Sequence, residues 1–156
     1  MRALVQRVSS ASVSVQGTVV GTIGPGLCIF LGVAETDGAA EVTWMADKIV
    51  NLRIFEDGQQ KMNNALLDIK GEALIVSQFT LYGDCRKGRR PSFCAAAGPE
   101  HAEAIYEQFK RAMAERGIPV ASGTFQAHMV VQIANDGPVT IFIEKEAKHD
   151  EQEAPS

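Results

Sequence analysis

Cysteine is scarce in this chain. Cys28, Cys85 and Cys94 are the three in 156 residues. An odd count without any C-x-x-C argues against a disulfide framework and against a zinc knuckle. Long apolar runs are missing too. None approaches the roughly 20 residues that span a bilayer. The opening Met1-Arg2-Ala3-Leu4-Val5-Gln6-Arg7 has no apolar signal core. Positive charge is in short supply: the net charge is −4, so any contact with nucleic acid has to use a local patch. H-E-x-x-H, G-x-S-x-G and the P-loop lysine motif do not occur. Gly21-Thr22-Ile23-Gly24-Pro25-Gly26 lacks the dinucleotide spacing and reads as a hairpin turn. His101, His128 and His149 have no partners at metal-ligand spacing and read as surface polar residues. The expectation is a cytoplasmic protein without metal, cofactor or membrane partner.

What is present supports one domain. The chain is 46% hydrophobic and 22% charged, enough for one core and too little charge for a disordered polyelectrolyte. Leu4 to Val8, Val13 to Val15 and Thr18 to Ile23 read as strands, with Gln16-Gly17 as a turn. Leu27 to Val33 is apolar at nearly every position, as in a strand buried on both faces. Val42, Met45, Ala46 and Ile49 share one face of a helix over Ala39 to Leu52. Asp57-Gly58 marks a turn, and Ala73 to Phe79 reads as a further buried strand. A second helix is bounded by Pro99 at its first position and Gly117 just past its end. Alternation from Phe125 to Ile133 predicts another strand, and Val139 to Glu144 the last. From Lys145 the chain reads as a polar, flexible tail. The order predicts a single α/β domain over residues 1–144 with a mixed sheet and two main helices.

Three segments carry possible chemistry. Ser77-Gln78-Phe79-Thr80 sits where a buried strand gives way to a polar loop, a common place for sites in mixed α/β folds. It reads either as a plain strand end or as a catalytic wall. Thr80 is a nucleophile candidate, but a threonine hydroxyl is weak without an adjacent base. The backbone N–H groups there are the alternative, as donors to a developing oxyanion. Asn135-Asp136-Gly137-Pro138 reads as a tight connection between strands, or as a cis X-Pro segment turning carbonyls toward a cavity. Arg86, Lys87, Arg89 and Arg90 place four positive charges in five residues, either simply solvated or a phosphate clamp for RNA. Phe93 is a candidate base-stacking ring. A noncatalytic RNA-binding module and a thiol hydrolase using Cys85 remain as competing readings.

Ser77-Gln78-Phe79-Thr80-Leu81 and Asn135-Asp136-Gly137-Pro138-Val139-Thr140 resemble the two signature segments of the D-aminoacyl-tRNA deacylases. Gln6-Arg7-Val8, Arg53-Ile54-Phe55, Lys61-Met62-Asn63 and Arg90-Pro91-Ser92-Phe93 extend the likeness over about residues 1 to 144. The resemblance implies a barrel-like fold in a homodimer with its site at the subunit interface. It implies hydrolysis of the ester between a D-amino acid, or glycine, and the terminal adenosine of tRNA. Ser77, Gln78, Phe79 and Thr80 are then the catalytic wall. Gly137 and Pro138 form a cis pair that excludes L side chains from the partner's pocket, with Arg7 holding it and Met129 and Asn135 at the substrate. From their charge, Arg86, Lys87, Arg89 and Arg90 are expected at the tRNA phosphates.

Overall fold

The computed structural model describes residues 1–148. Its centre is β3 (Gly26–Gly32), flanked by antiparallel β1 (Arg2–Val15) and parallel β6 (Glu72–Ser77). β1 continues into β2 (Thr18–Ile23), β6 into parallel β7 (Val120–Ser122), and β8 (Met129–Glu144) lies along β1. The sheet therefore runs β2-β1-β3-β6-β7 with β8 added on β1, a mixed arrangement as expected. It curls nearly shut where β2 nears β7. A Cβ on Gly21 would lie 2.8 Å from the Ser122 carbonyl oxygen, so only glycine permits that approach.

The apolar run of β3 is buried on both faces. Leu27, Ile29 and Leu31 face the helices, and Cys28 faces the barrel interior with Val8, Val13, Leu74 and Val76. Burial without a charged partner pushes the Cys28 thiol up to about 12. Helices α1 (Ala39–Asn51) and α2 (Pro99–Glu115) cover the outer face. The buried stripe of α1 is Val42, Met45, Ala46, Ile49 and Val50; that of α2 includes Ile105, Tyr106, Phe109 and Met113. Pro99 begins α2, and Gly117 ends it at φ +84° with its N–H on the Ala114 carbonyl. The Ile118 N–H closes the same motif on Met113. The Gln16-Gly17 turn has positive φ at both residues, the twist a two-residue hairpin requires.

Several expectations change. Leu4–Val8 and Val13–Val15 belong to one 14-residue strand, because the polar residues between them keep pairing with β8. Phe79 leaves the strand for a 3-10 turn (Phe79–Tyr82). Thr124–Ala127 is a turn rather than strand: Ala127 N–H donates to the Thr124 carbonyl, and Gln126 has φ +64°. A small separate hairpin of β4 (Phe55–Glu56) and β5 (Met62–Asn64) surrounds Asp57-Gly58. Lys145 exchanges backbone hydrogen bonds with Met1, whose buried ammonium also pairs with Asp37 at 2.9 Å. The rest of the expected tail, from 149 onward, lies outside the described residues. Among the described residues no helix is long and apolar enough to cross a membrane.

Candidate active site

Parallel strand ends open the site. Pairing of β6 with β3 runs out at Ser77, opposite Leu31, and Gln78 N–H makes the last bond to the Leu31 carbonyl at 2.8 Å. The chain then tightens into the 3-10 turn, anchored by buried Tyr82. Arg2 stacks over that ring at 4.4 Å and donates to the Leu81 carbonyl at 2.8 Å. The first N–H groups of such a turn, those of Phe79 and Thr80, have no partner within it. They are the available donors; the Gln78 N–H is already engaged. The Gln78 side-chain amide instead donates to Thr80 Oγ1. Among the described residues no carboxylate or imidazole is hydrogen-bonded to that hydroxyl.

Beside this turn lies a cleft of about 620 Å³. Ser77, Gln78 and Phe79 form one wall, Phe125 and Met129 the other, and Pro99 and Ala102 at the start of α2 contribute to the lining. Phe79, 55% exposed, meets Phe93 edge-on with ring centroids 5.2 Å apart. The cleft is mainly apolar, with backbone and amide groups near the strand end, the usual composition of a small-molecule pocket. Thr80 is exposed just outside this lining.

The second signature segment stands elsewhere. On β1 the register passes from Gln6, opposite Thr140, to Val8, opposite Asn135. One residue, Arg7, thus faces four, Asp136 to Val139, which bulge out of the ladder. Asn135 closes the neck by donating to the carbonyls of Arg7 and Val139, both at 3.0 Å. Arg7 is 6% exposed. Its Nε donates to the Asp136 carbonyl at 3.1 Å and its Nη1 to the Ile54 carbonyl at 2.8 Å. The Gly137-Pro138 bond is cis and Gly137 has φ +124°. A Cβ on Gly137 would meet Arg7 Nη2 and Val139 Cγ2, each at 2.9 Å. Arg7 therefore grips the peptide just before the Gly-Pro pair. Arg7, Asn135, Gly137 and Pro138 are not among the residues lining the cleft of their own chain, whereas Met129 is.

The basic residues sit on a loop closed by reciprocal backbone bonds between Asp84 and Ser92 at 2.7 and 2.9 Å. Arg86, Lys87, Arg89 and Arg90 are all exposed. Arg86 forks onto Asp84, with Nη2 2.6 Å from Oδ2, and that hydrogen bonding holds the Asp84 carboxyl at about 2. Cys85 is exposed in the same loop and does not line the cleft.

Comparison with known proteins decides the family. The D-Tyr-tRNA(Tyr) deacylase family model matches residues 4–144. The D-aminoacyl-tRNA deacylase of Petrotoga mobilis (strain DSM 10674 / SJ95) is 56% identical over 147 residues, 94% of this chain and 98% of that protein. The chain belongs to the D-Tyr-tRNA(Tyr) deacylase family. Its curated relatives include the D-aminoacyl-tRNA deacylase of Clostridioides difficile (strain 630), 56% identical over 92% of this chain and 97% of that one. Membership makes the chain an enzyme, a hydrolase of the deacylase type. The solved structure of a c-Myc DNA unwinding element binding protein superposes with a TM-score of 0.90. It is 43% identical and covers 94% of this chain and 100% of its own. A probable eukaryotic D-amino acid tRNA deacylase, 20% identical, shares the fold with a TM-score of 0.77 over 91% of this chain and 97% of its own.

The cleft also contains residues that the sequence did not assign to a site, His128 among them. Phe125, Gln126, Ala127 and His128 line it because the chain turns before β8. Alternation of Phe125, Ala127 and Met129 continues in phase through that turn and so mimics a strand. Gly123 was the one local signal of a break.

Proposed function

We propose that this chain, working as a homodimer in the cytoplasm where charged tRNA is used, hydrolyses the ester of D-aminoacyl-tRNA. Glycyl-tRNA is a second substrate, and free amino acid and tRNA are the products. The deacylase unit is residues 1–144. The observation that carries this reading is the pairing of a strand-end cleft with a stiff Gly137-Pro138 loop that lies outside it. In the dimer the loop enters the partner's cleft. β8 supports that assembly: among the described residues it pairs only with β1, leaving a 16-residue strand with one free edge. Val130 and Phe142 on it are 56% and 52% exposed.

An aminoacyl ester is already activated, so modest catalysis suffices. In this mechanism the terminal adenosine occupies the apolar cleft between Phe79 and Met129. The N–H groups of Phe79 and Thr80 stabilise the oxyanion, an effect worth about 10²–10³ in rate. Ser77 and Gln78 position the ester. Water attacks with help from the 2′-hydroxyl of the terminal ribose. Thr80 as an acyl-enzyme nucleophile is the alternative. The Thr80 hydroxyl, receiving a hydrogen bond from Gln78 and with no base bonded to it among the described residues, favours the first route. The carbonyls of Gly137 and Pro138 face the substrate amine and leave no room for an L side chain. A D side chain points outward, and glycine has nothing to exclude. Arg86, Lys87, Arg89 and Arg90 steer the tRNA backbone.

The test is deacylation of matched D-Tyr-, L-Tyr- and glycyl-tRNA by purified protein without added metal. Rapid release from the D- and glycyl-tRNA with L-Tyr-tRNA spared is expected. Equal rates on both hands of tyrosine overturn the exclusion mechanism.

A further inference from the structure

The β4–β5 hairpin looks unnecessary to the barrel. It forms its own two-stranded sheet, with strands of two and three residues. Such a ribbon is marginal by itself. Yet it is densely bonded. Asp57 Oδ1 accepts from the N–H groups of Gln59 and Lys61 at 2.8 and 3.1 Å, and its Oδ2 accepts from Asn63 Nδ2 at 2.7 Å. This hydrogen bonding lowers the Asp57 carboxyl below its ordinary range. Arg53 then forks onto Asn63, with Nε donating to its backbone carbonyl at 3.0 Å and Nη2 to its Oδ1 at 2.9 Å. The fork ties the hairpin to the segment entering β4.

The residue between Arg53 and β4 is Ile54, 7% exposed, whose carbonyl receives Arg7 Nη1. Arg7 in turn holds the Asp136 carbonyl at the base of the Gly-Pro loop. The peptide of Ile54 is thus fixed on one side by the strand and on the other by the Arg53 fork. We infer that Arg53, Asn63 and Asp57 are positioning residues for the Gly137-Pro138 loop, acting through the Ile54 carbonyl and Arg7, and thereby set substrate selectivity. The inference rests on the reading of that loop as the stereochemical filter. Surface hydrogen bonds of this kind add little to global stability. Loosening Ile54 lets Arg7 relax and the loop carbonyls drift, which admits L esters before it slows D esters.

The experiment measures the ratio of D-Tyr-tRNA to L-Tyr-tRNA deacylation for Arg53→Ala and Asn63→Ala, in otherwise unchanged protein and in an Arg7→Lys background. Asp47→Ala, which removes a surface ion pair with Arg116, is the control. The ratio is expected to fall roughly 2- to 30-fold in both hairpin variants. The D rate and the thermal midpoint should stay near those of the control. In the Arg7→Lys background the hairpin substitutions should lower the ratio no further. If Arg53→Ala does not fold, Arg53→Lys keeps the charge, loses the fork, and should show a smaller fall. An unchanged ratio in folded Arg53 and Asn63 variants of a discriminating enzyme overturns the inference alone. So does an equal further fall in the Arg7→Lys background. An unsubstituted enzyme that does not discriminate overturns the filter itself, and the inference with it.

Discussion

The cleft wall at Ser77–Tyr82 and the protruding Asp136–Val139 loop differ most in how they are held. The wall is a short turn with Phe79 and Thr80 exposed, and in the proposed mechanism it acts through N–H groups that the turn leaves free. The loop is fixed at its neck by Asn135 and at its base by a buried arginine. Donors to an oxyanion are supplied by the backbone whatever side chain stands there. Exclusion requires that a surface not yield. The contrast teaches that rate and selectivity should respond to different substitutions.

Arg7→Ala should have the largest effect. It strips the hydrogen-bond donors from the Ile54 and Asp136 carbonyls, and destabilisation of about 3 kcal/mol is expected in denaturant unfolding. L-Tyr-tRNA hydrolysis should rise against D-Tyr-tRNA in whatever folds. Gly137→Ala comes next. The new Cβ would stand 2.9 Å from Arg7 Nη2 at a φ that L residues rarely adopt. A strain of about 1–3 kcal/mol translates into a selectivity loss of about 5- to 150-fold in the same assay. Basic-loop substitutions should act on binding alone. Arg89→Ala and Arg90→Ala should raise KM, leave kcat, and each reduce the salt dependence by about one unit of slope. Arg86→Ala should do less, because Asp84 already holds that guanidinium. The Asp84 carboxyl lies below its ordinary 3.8, so the pair's contribution is complete above that value. It is lost only as pH falls through about 2, and the Arg86 effect should be flat across neutral pH. Thr80→Val should be the mildest, keeping deacylation within about threefold; a loss near 10³-fold would make Thr80 the nucleophile.

The buried centre was plain in the sequence. Leu27 to Val33 admits little but a doubly covered strand, and Pro99 and Gly117 bracket α2 because proline and glycine act through local backbone geometry. The long edge pair was harder. Ser9 and Ser10 look like a break in β1, but Ser10 pairs with Ala134, more than a hundred residues away on β8. Local propensity carries no such information. The site was half legible. Ser77, Gln78, Phe79 and Met129 do come together at one cleft, with Thr80 just outside its lining. That Arg7 would hold the Asp136 carbonyl from across a bulge, or that Arg53 would bind Asn63, needs the register of paired strands. The likeness in family motifs pointed to Arg7, and only the folded chain shows which atom it holds.

Mixing two defective variants tests the central claim most directly, because the loop and the cleft are assigned to different subunits. One variant, Ala127→Trp, fills the cleft and leaves the loop; the other, Gly137→Ala, damages the loop and leaves the cleft. Subunit exchange should create mixed dimers with one sound cleft facing one sound loop. The account predicts that D-selective deacylation, poor in each folded parent, partly returns in the mixture. A mixture that exchanges subunits and recovers nothing beyond the sum of its parents would contradict it.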